Sequence, residues 1–371
     1  MEINRETLSN DLKRLRDYLS KSPSKDAIKT DYPSYLSLCN LYESLTNIKV
    51  DDGLFLQPDR IYEMIDKKTY KNCDKYCDFL DEYMNIWYTL FSNYCDILDD
   101  VDLVSAPFFS CFRHYSEKDF KDIILSYFSM YGDKEYKIVK RYFDEGRVGT
   151  NIDLGENDGL FMGSIFNKYG YILTQSKKQN TYTQGVLVHE FGHAIDGEMF
   201  LFPQNKKLST FNDTFLEVPS AFFEVGFFDF LFKNKIDIDG SQIQVNDVLL
   251  KISDSYYPIY EVMSAQANGG NINIDYYGDV LLENNKTIHL RDELIYGLGY
   301  YMALCMHSIA DGNYKEYMKT FYNFIMTRGE MSPKESIESL GFDFDEFLKA
   351  RLLIPKIEEN NMALKKRFNL N

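Results

Sequence analysis

The chain has 371 residues, of which 44% are hydrophobic and 26% charged, and carries a formal net charge of −16 at pH 7. That length can bury a large core, and the apolar content rules against general disorder. The acidic surplus argues against nucleic acid or an anionic membrane as the main partner, because both attract basic surfaces.

The N-terminal stretch is charged and amphipathic, without the apolar centre of a signal peptide, and no run approaches the roughly 18 apolar residues of a membrane span. A cytoplasmic location is the expectation. Leu8, Leu12, Leu15 and Leu19 recur at helical spacing, and similar patterns over 34–47, 58–66 and 75–99 predict a helical N-terminal domain, 1–130. Six cysteines, Cys39, Cys73, Cys77, Cys95, Cys111 and Cys305, are too few for a disulfide scaffold and read as reduced thiols.

From 131 to 371 the pattern predicts a second domain. Residues 160–165 and 170–175 read as two strands of a small sheet, with Gly163 and Gly170 at bends or close approaches. Helices are predicted over about 182–199, 214–234, 244–265, 290–310, 313–328, 333–340 and 344–352, and 266–289 reads as loop. The fold class is therefore mainly α with a small β-sheet.

The chemistry concentrates in Val186-Leu187-Val188-His189-Glu190-Phe191-Gly192-His193. Two histidines four apart on a helix project from one face, so both imidazoles can reach one Zn²⁺. Glu190 leans over the same place, where its carboxylate can take a proton from activated water. A third histidine six residues after His193 would mark the metzincin class, but position 199 is Met199. Glu217, 24 residues after His193, is instead an acidic residue inside the apolar stretch Thr214–Phe223, a costly placement unless it is paired or binds metal. His189, His193 and Glu217 are thus the expected ligands of one zinc ion per chain. Glu198 is too close to His193 to serve, and Glu224 is a candidate for orienting an imidazole.

HEFGHAID followed by FLEVPSAFFE resembles the thimet oligopeptidase and oligoendopeptidase F family of zinc peptidases. The segment YGYILTQSKKQNTYTQGVLVHEFGH is similar in kind to the strand, polar turn and active-site helix of that family. The resemblance covers about residues 155–355. It implies a helical, zincin-like metalloendopeptidase acting on oligopeptides or an extended protein segment, with the strand at 170–175 pairing with substrate backbone. It also implies that a tyrosine of Tyr296-Gly297-Leu298-Gly299-Tyr300-Tyr301 stabilises the oxyanion, which singles out Tyr296 and Tyr300. His289, just before that helix, is implied to contact substrate or oxyanion. The sequence departs from the family in its shorter length and in Asp196, where many members carry a further histidine. A shortened N-terminal half leaves open a protease dedicated to one protein partner. A zinc-containing protein that holds peptides without cutting them is the reading from another class, and an intact Glu190 speaks against it.

Overall fold

The computed structural model describes residues 1–21, 25–50, 83–101, 112–155, 157–163, 170–201, 214–269, 273–274, 280–281, 287–310, 312–328 and 331–368. The helix expected over 58–66 and the first part of that over 75–99 lie outside the described residues, as do Cys73, Cys77 and Cys111. The described chain is mainly helical, with two small three-stranded sheets. It divides into two compact units. One comprises Met1–Lys71, Tyr115–Gln179 and Val186–Thr210, the other Asn72–His114, Asn180–Gly185 and Phe211–Asn371.

In the first unit, helix α1 (Arg5–Leu19) starts where the Asn4 side chain accepts hydrogen bonds from the Glu6 and Thr7 amides. Its leucine stripe, Leu8, Leu12, Leu15 and Leu19, is buried with Tyr35, Leu38 and Leu41 of α2 (Lys25–Thr46) and with Tyr171 and Leu173. Asp11 lies on the same buried face. It pairs with Arg147 at 2.7 Å and accepts the Tyr171 hydroxyl at 2.9 Å, so its charge is met inside the core.

Strand β1 (Val148–Thr150) runs parallel to β3 (Tyr171–Thr174), and β2 (Gly159–Met162) runs antiparallel to it, giving the order β1-β3-β2. This corrects the role expected of the strand at 170–175. Its backbone is paired on both sides and all four of its residues are buried, so it has no edge to offer a substrate. The edges are β1, where the Thr150 amide donates to the Met1 carbonyl at 3.1 Å, and β2, whose Leu160 is 38% exposed. Gly170 answers to close packing: a Cβ there would sit 2.1 Å from the Met162 carbonyl oxygen. Helices α4 (Glu117–Ser129) and α5 (Asp133–Asp144) complete this unit's aromatic core.

In the second unit a helix, α3, runs through 83–101. Helix α7 (Val218–Lys233) is apolar on every side, and nearly all of its residues are buried. It packs along α10 (Leu290–Ala310), which is apolar in the same way. The single helix expected over 244–265 is two. Helix α8 (Ile238–Asp254) ends and α9 (Tyr256–Ala267) begins at Ser255. Pro258 is the cause: it lacks an amide proton, and its ring clashes with the carbonyl of the residue four before it, which is Asp254. The Ser255 hydroxyl then donates to the Glu293 carbonyl at 2.7 Å, tying the break to α10.

Within 266–289, expected as loop, three two-residue strands form an antiparallel meander: β4 (Asn273–Ile274), β5 (Val280–Leu281) and β6 (Thr287–Ile288). The C-terminal part holds α11 (Tyr314–Thr327), α12 (Pro333–Ser339) and α13 (Phe344–Leu348). The sequence reading missed α14 (Ile354–Phe368), which buries Ile357, Asn360, Asn361 and Leu364 at helical spacing. Its charged composition masks the stripe, and Ala350, at φ +57°, separates it from α13. The described cysteines, Cys39, Cys95 and Cys305, are free thiols. Burial pushes Cys95 up to about 11, with help from Asp99, Asp96 and Asp254, so it stays protonated at neutral pH. No helix among the described residues is long and apolar enough to cross a membrane.

Candidate metal centre

The HEFGH segment lies on helix α6 (Thr181–Asp196), followed by one π-helical turn at Gly197–Leu201. The helix begins where the Asn180 side chain accepts from the amide of Thr183 at 3.0 Å. Phe191, next to Glu190, is fully buried among Phe128 of α4 and Tyr142 and Phe143 of α5, with ring centroids 5.7, 6.1 and 5.3 Å away. The apolar residue inside the motif therefore anchors the helix and fixes which face carries the polar ones.

On that face the His189 and His193 rings lie 5.1 Å apart at 77°. His189 and Glu190 are 7% and 8% exposed. Glu217 is the residue before α7 and is 5% exposed; its carbonyl already accepts the first helical bond, from the Ala221 amide at 2.9 Å. Pro219 occupies the first turn, where a missing amide proton costs nothing. His189, His193 and Glu217 each offer a ligand atom, and these atoms lie within 4.8 Å of one another. Two imidazoles and one carboxylate form a donor set that zinc takes with a further position left open, so these residues fit the ion the sequence implied.

Three contacts around these residues were not foreseen in the sequence. The Ser220 hydroxyl lies 2.8 Å from Glu217 Oε2 and 2.8 Å from the Glu217 carbonyl oxygen. Gly299 of α10 lies against Glu217: a Cβ there would come within 2.9 Å of Glu217 Cβ and 3.1 Å of its carbonyl oxygen. Gly159, at the start of β2, lies against the expected base, where a Cβ would sit 2.7 Å from Glu190 Oε1 and 2.6 Å from Val186 Cγ1. A glycine inside the long helix α10 was the one available signal, since it costs about 1 kcal/mol relative to alanine and so asks for a packing reason.

The remaining expected residues fall as follows. Tyr300 is buried, and its hydroxyl donates to Glu224 Oε2 at 2.9 Å. Burial and the charges of Glu224 and Glu217 hold that hydroxyl well above its ordinary pKa, so its proton stays in place. Glu224, expected to orient an imidazole, is thus held by Tyr300 from α10. Tyr296 is 42% exposed and lines a cavity of about 280 Å³ with Tyr300, Lys251, Asp254 and Glu293. His289 is exposed one residue before α10, and its carbonyl accepts from the Glu293 amide.

No family model matches the chain, and no curated protein matches it. Solved structures do. A candidate peptidase from Chlamydophila abortus is 16% identical, with a TM-score of 0.49 over 95% of this chain and 63% of that one. A candidate oligoendopeptidase F from Bacillus anthracis str. Ames is 13% identical, with a TM-score of 0.51 over 90% of this chain and 63% of that one. PZ peptidase A, solved with an inhibitor, is 10% identical, with a TM-score of 0.48 over 96% of this chain and 71% of that one. The chain thus spans 63% of the length of the first two. At such identity the likeness is one of architecture: this chain shares the mainly helical fold of the Bacillus anthracis structure.

Proposed function

We propose that the protein is a zinc-dependent endopeptidase that hydrolyses peptide bonds in oligopeptides or in an extended segment of a protein. The observation that carries this reading is the convergence of His189, His193 and Glu217 ligand atoms within 4.8 Å, with a buried Glu190 next to His189 on the same helix. His189, His193 and Glu217 would hold the ion. A bound zinc supplies Lewis acidity, making water more acidic and polarising the scissile carbonyl.

Glu190 is the general base in this reading. Its carboxylate takes the proton from the attacking water and returns it to the leaving amine nitrogen, so one group serves both halves of the reaction. Substrate backbone pairs with the outer edge of β2 rather than with β3. Gly159 on that strand lies against Glu190, which brings an edge-bound peptide to the base. Tyr296 or Tyr300 is assigned to the oxyanion and His289 to the substrate or the oxyanion; the Tyr300 hydroxyl also donates to Glu224 Oε2.

The test is cleavage of a fluorogenic peptide library by zinc-loaded protein, with and without chelator, beside Glu190→Gln. Chelation should abolish turnover, and the variant should lose it while keeping zinc. A wild type that holds zinc and cuts no peptide in the library would sink the peptidase reading.

A further inference from the structure

We propose that Ser220 is a positioning residue of the metal centre, acting through Glu217; the inference rests on the metal-centre reading above. Ser220 sits in the first turn of α7 and is fully buried. Its single hydroxyl proton has two acceptors at 2.8 Å, the Glu217 Oε2 and the Glu217 carbonyl. The carbonyl already receives the Ala221 amide at 2.9 Å, which leaves the carboxylate oxygen as the acceptor the hydroxyl serves.

A donor on Oε2 fixes how the carboxylate turns about its own axis, and so decides which oxygen faces the two imidazoles. Gly299 completes the restraint from the other helix. With no side chain, it lets α10 lie against Glu217 Cβ and backbone, which limits where the side chain can swing. Ser220 and Gly299 thus fix in advance a ligand that metal binding would otherwise have to order, which raises affinity and sharpens selectivity for the ion.

Zinc affinity of the folded protein, measured by competition with a chromophoric chelator, tests this without reference to turnover. Wild type, Ser220→Ala, Ser220→Thr and Ser332→Ala are compared. Ser332, at the start of α12, likewise donates its hydroxyl to a glutamate carboxylate, Glu335 Oε2 at 2.8 Å, and reports the effect of losing a helix-start serine away from any proposed ligand. Ser220→Ala should bind zinc about 10- to 100-fold more weakly, Ser220→Thr should recover most of the affinity, and Ser332→Ala should match wild type. Unchanged affinity in Ser220→Ala overturns the proposal, and so does a folded Thr variant as weak as the Ala variant. If the added methyl unfolds the Thr variant, the Ala variants alone decide. A wild type that binds no zinc at unit stoichiometry instead overturns the metal-centre reading, and the two failures are distinct.

Discussion

Glu190 illustrates how little space the site leaves around its working groups. The Gly159 α-carbon lies so close that a methyl group there would collide with the carboxylate oxygen and with Val186. Gly159→Ala should therefore displace the proposed base while leaving the proposed ligands untouched. Peptide turnover is expected to fall by about 10²-fold, the usual cost of an ångström-scale misplacement, with zinc content unchanged. Turnover within about twofold of wild type would show that the strand gives way instead. Tyr300 makes the complementary case. Tyr300→Phe keeps the ring and removes the donor to Glu224, leaving a buried carboxylate short of a hydrogen bond. Urea unfolding should report a loss of about 1–3 kcal/mol. At this scale HEFGH was readable because its chemistry falls within five consecutive residues, where helical periodicity fixes who faces whom. Gly159, Gly299 and Ser220 act through contacts that no spacing rule describes.

Among the elements, α7 and α10 pack with His307 between them, and that placement sets how stability answers to pH. Its ring stacks on Phe222 at 4.6 Å, and its Nε2 lies 2.7 Å from the Phe222 carbonyl, an acceptor, so Nε2 carries the proton. Burial holds its pKa below the ordinary 6.5, against the opposing pull of Asp229. The unfolded chain therefore binds a proton that the folded chain refuses. Stability from this group is complete above about pH 6.5 and is lost as pH falls from there toward the depressed folded value. His307→Phe should flatten the stability profile between about pH 5 and 7, seen as a smaller change in urea midpoint. An unchanged slope would assign that acid sensitivity to other groups.

Helix α1 offers a second test at this scale. Asp11→Ala would remove the buried partner of the Arg147 guanidinium, whose side chain is 3% exposed, and leave it paired with the half-exposed Glu145 at 2.6 Å. A loss of about 3–5 kcal/mol is expected. Asp133→Ala breaks the pair with Lys137, whose side chains are 94% and 74% exposed, and should change stability by less than about 1 kcal/mol. The sequence marked α1 by its leucines but gave no hint of Asp11, because the partner lies 136 residues away.

For the whole molecule, the net charge of −16 and the proposed zinc centre lead to one experiment. A ligand that binds only the folded protein stabilises it by mass action, by about 2.7 kcal/mol at one hundred times its dissociation constant. Chelation should lower the melting temperature, and added zinc should restore it, whereas magnesium, which demands oxygen ligands, should not. A melting temperature indifferent to chelator would count against a site that holds the ion when folded.

The sequence by itself determined the helical class, and it singled out His189, His193 and Glu217 as the proposed ligands and Glu190 as the proposed base, since each follows from local period or from the cost of burying an unpaired charge. The tertiary structure alone decided that β3 is central and β1 and β2 lie at the edges, that Pro258 divides α8 from α9, and that Ser220, Gly299 and Gly159 crowd the carboxylates of Glu217 and Glu190. Side chains a helical turn apart meet whatever surrounds them. Sheet order and the approach of one helix to another are set by contacts between residues far apart in the chain, and only the folded packing supplies them.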